Sequence, residues 1–187
     1  MIFTLLLYLG IMSMAPAEEP IETNANTVDL DIMQMVQVEE MLVVIERTHT
    51  PDTTFRCLSA LNKGRLSNRL YKYALKARNG TAIDAPYVEH IVNVSLAPLL
   101  SSSGYSSSYT DHAGTTFTMT LKQKDSNGTC FVIYVRKSTG QKGCELLLRA
   151  SALHTGIAVV CDTYFTKHCP EPSIELHRDD CIYDESN

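Results

Sequence analysis

Five of the six cysteines in this 187-residue chain, Cys130, Cys144, Cys161, Cys169 and Cys181, fall in its last third, and Cys57 stands far upstream as the sixth. An even count at moderate spacings behind an apolar leader reads as a disulfide framework, which persists only in oxidising surroundings. The protein is therefore expected to be secreted and extracellular. No two cysteines are separated by only two residues, and the seven residues between Cys161 and Cys169 match no metal-ligand pattern, so no metal site is expected. The leader is the apolar run Ile2 to Met12, followed by Ala15-Pro16-Ala17, which supplies the small residues a signal peptidase requires. The run is too short to span a membrane, and no later stretch is apolar enough to anchor the chain. Residues 1–17 are thus read as a signal peptide and residues 18–187 as one domain.

A chain of this size buries about 70% of its unfolded surface, enough for a core with volume left for a pocket. The formal charge of −5 is spread among both signs, with no basic run longer than two residues, so a nucleic-acid partner has nothing to grip. Asn79-Gly80-Thr81, Asn93-Val94-Ser95 and Asn127-Gly128-Thr129 become glycosylation sites if the chain enters the secretory pathway.

Along the mature chain, Glu18 to Asn26 reads as a loose arm, and Asp29 to Val38 allows one short helix. Met41 to His49 reads as a strand stopped by Thr50-Pro51-Asp52. Leu70 to Ala77 alternates Tyr71, Tyr73 and Leu75 with Lys72 and Lys76, the pattern of a half-buried strand, and Tyr87 to Leu96 is a further one. Ser101 to His112, rich in Ser, Tyr and Gly, suggests a mobile loop or weak hairpin. From Thr115 the pattern is a meander: strands at Thr115 to Lys124, Cys130 to Val135 and Cys144 to Ala150 are joined by turns at Asp125 to Gly128 and Ser138 to Gly143. A helix at Asp162 to His168 ends before Pro170 and Pro172. Short strands with regular turn signals and one late helix point to an all-β, up-and-down barrel with the helix packed outside. An immunoglobulin-like sandwich fits less well, because the chain has no Trp and its cysteines crowd toward one end.

No Gly-x-Ser-x-Gly elbow, His-Glu-x-x-His pair or phosphate-cradling Gly loop occurs, so neither an enzyme nor a bound cofactor is expected. His90, His112, His154, His168 and His177 are scattered without a recurring ligand spacing and read as surface residues.

The run Cys130 … Cys144-Glu145-Leu146 … Cys161-x-x-x-Phe165-x-x-x-Cys169 … Cys181 resembles the histamine-binding lipocalins of tick saliva. Glu46-Arg47-Thr48 followed by Phe55-Arg56-Cys57 is similar to that family's first strand and first cysteine, and Asp31-Ile32-Met33-Gln34 stands where it often has Asp-Ala-Trp-Lys. The resemblance covers about Asp29 to Cys181. It implies an eight-stranded antiparallel barrel, closed at one end, holding a small ligand. Of the fifteen connectivities open to six cysteines, it also implies Cys57 with Cys181, Cys130 with Cys161 and Cys144 with Cys169.

If Cys130 and Cys144 point outward to the helix, alternation turns Phe131, Ile133 and Val135 inward on one strand and Glu145, Leu147 and Arg149 inward on the next. Glu145 then needs a cation, either Arg149 on the same face or a protonated amine. The resemblance implies the amine. With the inward-facing and aromatic side chains added to the resemblance, the candidate ligand contacts are Glu145, Phe131, Tyr71, Tyr73, Phe117, Leu147, Arg149 and Asp31. Where the family's amine signature has Asp after the first of these cysteines, this chain has Phe131; where it has Trp or Tyr after Glu-Leu, this chain has Leu147. Those exchanges suit an apolar tail with one carboxylate, a fatty acid or eicosanoid whose head Arg149 would meet. The function expected is sequestration of a biogenic amine such as histamine or serotonin by a monomer, with a lipid mediator as the alternative ligand. A second class is inhibition of a host protease or complement factor through loops such as Ser101 to His112.

Overall fold

A computed structural model describes residues 29–100 and 102–183; the leader, its cleavage point and the arm at Glu18 to Asn26 lie outside the described residues. Eight antiparallel strands run in sequence order: β1 (Leu42–Arg47), β2 (Phe55–Ser67), β3 (Leu70–Asn79), β4 (Tyr87–Pro98), β5 (Tyr105–Thr110), β6 (Thr116–Lys124), β7 (Cys130–Lys137) and β8 (Lys142–Arg149). Each pairs with the next, and β1 pairs with both β8 and β2, which closes the barrel. A short helix, α1 (Met33–Val36), plugs one end; α2 (Val159–His168) lies outside, and a ninth strand, β9 (Ile174–Glu175), adds to β1.

Of the loop and hairpin readings of Ser101 to His112 the hairpin is the better one, and one strand went unforeseen. Ser101 to His112 is not a loop throughout: Tyr105–Thr110 forms β5, which pairs with both β4 and β6. Ser106, Ser108 and Thr110 turn outward and hydrogen-bond across the surface, as Ser108 does with Ser95 Oγ, while Ser107 is buried and lines the interior, so most of the polarity there marks a solvated outer face. Phe55–Ser67 carries the long strand β2 that alternation fails to reveal. Register shifts between Arg56 and Ser59, Asn62 and Gly64, and Arg65 and Ser67 break its period of two.

The expected parity holds on β7 and β8. Cys130, Val132, Cys144, Leu146 and Leu148 face outward and pack with Val43, Ile45, Cys161 and Phe165 beneath α2, while Phe131, Ile133, Val135 and Leu147 join the interior cluster. Spacing of four puts Cys161 and Phe165 on the buried side of α2, which begins at Val159, three residues before the expected start. Cys130–Cys161 and Cys144–Cys169 bind this helix to the barrel, and Cys57–Cys181 ties down the C-terminal segment, the three pairs the resemblance implies. The last closes a separation of 124 residues; chain entropy assigns such a loop about 4 to 5 kcal/mol. Buried Arg78 reinforces it with paired hydrogen bonds of 3.0 and 3.3 Å to Asp180.

The barrel wall parts in two places. β1 and β2 pair only at Leu42↔Ala60 and Val43↔Ser59, and above that β9 is inserted between them, with Leu176 N donating to Ile45 O at 2.8 Å and Cys57 N donating to Leu176 O at 2.8 Å. β4 and β5 pair only from Ser95↔Ser108 to Pro98↔Tyr105.

Candidate ligand-binding site

A cavity of about 540 Å³ occupies the upper part of the barrel. Met35 and Val36 of α1 floor it, and Leu42, Val44, Val92, Val94, Met119 and Leu147 supply apolar walls. Thr50, Thr53, Asp111, Ala113 and Lys137 rim the open end. The enclosed part is mostly hydrocarbon, and the charge collects at the mouth.

That charge depends on an irregularity in β1. Regular alternation from Leu42 and Val44 would send Glu46 inward and Arg47 out. A bulge between Val44 and Glu46 reverses this, so Glu46 pairs with outward Leu146 and Arg47 pairs with inward Glu145. Two residues on, the same reversed parity turns His49 inward. Its Nε2–H donates to Glu145 Oε1 at 2.8 Å, with the His49 side chain 1% and the Glu145 side chain 16% exposed. Gly143 permits this approach: a Cβ there would stand 2.7 Å from His49 N, too close for any side chain.

Lys137 Nζ donates to Thr50 Oγ1 at 2.5 Å, and Thr50 Oγ1 lies 2.8 Å from His49 Nδ1. With Nε2 donating to a carboxylate that only accepts, Nδ1 and the Thr50 hydroxyl share the second hydrogen bond of the ring, and a chain runs from Lys137 through Thr50 and His49 to Glu145. Burial pushes the Glu145 carboxyl up, but the His49 hydrogen bond and the His49, Arg47 and Lys137 charges outweigh it, and the net shift is downward. Burial, with Arg47 adding to it, lowers the Lys137 ammonium despite opposing pulls from Glu145 and Asp111.

Arg47 is left over. Burial lowers its guanidinium, Glu145 and Tyr109 oppose this, and its Nε is buried with no hydrogen-bond partner among the described residues. None of the ion pairs among those residues includes it.

Of the residues singled out from sequence, Glu145, Tyr73, Phe117 and Leu147 line the cavity. Phe117 stacks on Tyr109 with ring centroids 4.7 Å apart, and Tyr73 Oη donates to Val36 O at 2.7 Å. Phe131 and Tyr71 face inward but pack below the cavity, Tyr71 taking a 3.3 Å hydrogen bond from Gln37. Arg149 is not the partner of Glu145: it lies toward the closed end, about 13 Å along the strand at ~3.3 Å per residue, beside Gly128. Asp31 does not line the cavity, because its Oδ1 accepts from the backbone N–H of Met33 at 3.0 Å and of Tyr105 at 3.1 Å.

The residues that sequence reasoning missed are Arg47, His49, Lys137, Tyr109 and Asp111. His90 and His112 are exposed as expected, yet both line the mouth. Alternation could not have found Arg47 or His49, since the bulge that turns them inward leaves no mark in Val44-Ile45-Glu46. Lys137 closes a strand whose inward run, Phe131, Ile133 and Val135, already pointed to it.

Solved structures with this architecture include japanin from Rhipicephalus appendiculatus bound to cholesterol, 11% identical, covering 74% of this chain and 92% of its own with a TM-score of 0.54. AM182 in its serotonin complex is 16% identical and covers 82% of this chain and 94% of its own, with a TM-score of 0.56. At such identities the likeness establishes the fold alone. No curated protein matches the sequence. Residues 21–186, nearly the whole chain, match the family described as tick histamine binding protein, and the chain belongs to that family.

Proposed function

We propose that this protein is a secreted, monomeric lipocalin that sequesters a small amphipathic mediator, its apolar body in the barrel and an anionic head against Arg47 and Lys137. The observation that carries the reading is the state of the two opposed charges at the mouth. Glu145 already accepts a hydrogen bond from His49, whereas Arg47 is buried with its Nε unpartnered among the described residues. A carboxylate would give Arg47 charge-assisted hydrogen bonds worth about 1.5 to 3 kcal/mol each. An ammonium group brought to Glu145 would share the carboxylate with His49 and sit beside the Arg47 and Lys137 cations. The cavity volume also lies in the range that encloses drug-sized ligands.

An amine remains the second reading, because the family match favours it and Glu145 and Asp111 line the same mouth beside the Tyr109 and Phe117 rings. Secretion is supported by the three disulfides. No helix among the described residues is long and apolar enough to cross a membrane. Asn79, Asn93 and Asn127 are all exposed, as glycosylation requires.

Calorimetric titration of the mature chain with a leukotriene, histamine and serotonin tests the proposal. The leukotriene should bind, Arg47→Met should weaken it about 30- to 100-fold, as loss of charge-assisted hydrogen bonds implies, and Arg149→Ala should leave it unchanged. Amine binding abolished by Glu145→Gln, with no leukotriene binding, would reverse the order of the two readings. Absence of heat with all three ligands would favour a host-protein partner.

A further inference from the structure

The second parting of the wall, between β4 and β5, is left open. Leu96 N donates to Arg69 O, so the peptide groups of Val94, Val92 and His90 also turn toward β3, while those of Asn93, Ile91 and Glu89 turn toward β5. β5 meets β4 only from Ser95↔Ser108 downward, and residues 87–94 have no strand partner on that side among the described residues. A groove of about 420 Å³ follows this split on the outside of the barrel. Ile91, Asn93, Ser95, Ser108 and Thr110 form its outer lips, and Val92, Tyr109 and His112 its base. Those last three residues also line the inner cavity. A single layer of side chains thus separates groove from cavity, with no backbone ladder across it. Near the rim the His90 and His112 rings meet across the gap, edge to face with centroids 4.3 Å apart.

We infer that the split between β4 and β5 is a lateral portal through which an apolar ligand enters and leaves the barrel, with Tyr109, His90 and His112 as its gate. The inference rests on the cavity being a ligand site. Parting these strands further breaks no backbone hydrogen bond above Ser95. The corresponding seam between β1 and β2 is filled by β9 and pinned through Cys57–Cys181. An elongated or flat apolar molecule suits the slot, since it can slide edgewise between Val92 and Tyr109 while its charged end trails.

Asn93 and Thr110 face each other across the groove and do not line the inner cavity. Asn93→Cys combined with Thr110→Cys can be joined by a short thiol-specific crosslinker, because all six native cysteines are paired. Stopped-flow fluorescence with anilinonaphthalene sulfonate, an apolar anion, then reads the rates. Crosslinking should slow association and dissociation alike, by about tenfold, with equilibrium affinity nearly unchanged, because a gate alters rates and not the bound state. Unchanged rates after crosslinking, together with slowing by Ala113→Trp at the mouth, would overturn the portal. If the double variant melts below the wild type, Thr110→Trp alone replaces it in the same comparison. No saturable probe binding to the wild type would instead sink the cavity reading itself.

Discussion

The same three strands, β7, β8 and β1, carry two unlike faces. Outward, Val43, Ile45, Val132, Leu146 and Leu148 are packed solid beneath α2 and stapled by Cys130–Cys161 and Cys144–Cys169. Inward, Leu42, Val44, Ile133 and Leu147 border an unfilled space, and Arg47, Lys137 and Glu145 stand at its mouth. The outer face is what a chain selected for stability builds. The inner face forgoes packing and keeps a buried guanidinium, which makes it the face where a ligand would act. The contrast predicts that outer substitutions cost stability and spare binding, whereas inner ones do the reverse.

Leu146→Ala should show the largest effect. Its side chain is 1% exposed and surrounded on the outer face, so its loss should cost about 3 to 5 kcal/mol in denaturant unfolding. Replacing Cys144 and Cys169 together by Ala should cost about 2 to 4 kcal/mol, with ligand affinity little changed. Leu147→Ala, one residue along but facing the existing cavity, should cost only about 2 kcal/mol, the low end for such truncations. Equal costs at Leu146 and Leu147 would mean that the interior is as tightly packed as the exterior. Arg47→Met should raise stability by about 1 kcal/mol, since it trades an unpaired buried cation for an apolar side chain of similar length.

Acid sharpens the comparison further. The Glu145 carboxyl lies below its ordinary value of 4.5 in the folded state. Its contribution to stability is therefore present above pH 4.5 and is lost as pH falls through the depressed folded value. Glu145→Gln should flatten the decline of the melting temperature in acid. A variant with the wild-type slope would show that His49 does not hold the carboxylate ionised.

The outer face was legible because cysteines announce both their location and their parity: once Cys130 and Cys144 are assigned to α2, the facing of Phe131, Ile133, Glu145 and Leu147 follows. Depth along the strand was not legible. Phe131 and Arg149 share the inward face with Glu145, but strand rise carries them below the cavity, so parity alone gathered residues that never meet. The β1 bulge was also hidden, because one extra residue in a run of apolar side chains alters no composition or spacing while exchanging Glu46 for Arg47 inside. β2 was missed for a related reason, its three register shifts cancelling the alternation by which strands are recognised. Polar composition concealed β5, whose outward hydroxyls look like a loop until their pairing is seen.

Nitrogen NMR of arginine-labelled protein tests most directly whether the inner face is built to receive an anionic head. On titration with a long-chain fatty acid the Arg47 Nε–H resonance should move and sharpen while that of Arg149 stays in place, and serotonin should move neither. An Arg47 signal unmoved by the fatty acid, with serotonin displacing His49 from Glu145, would contradict the account.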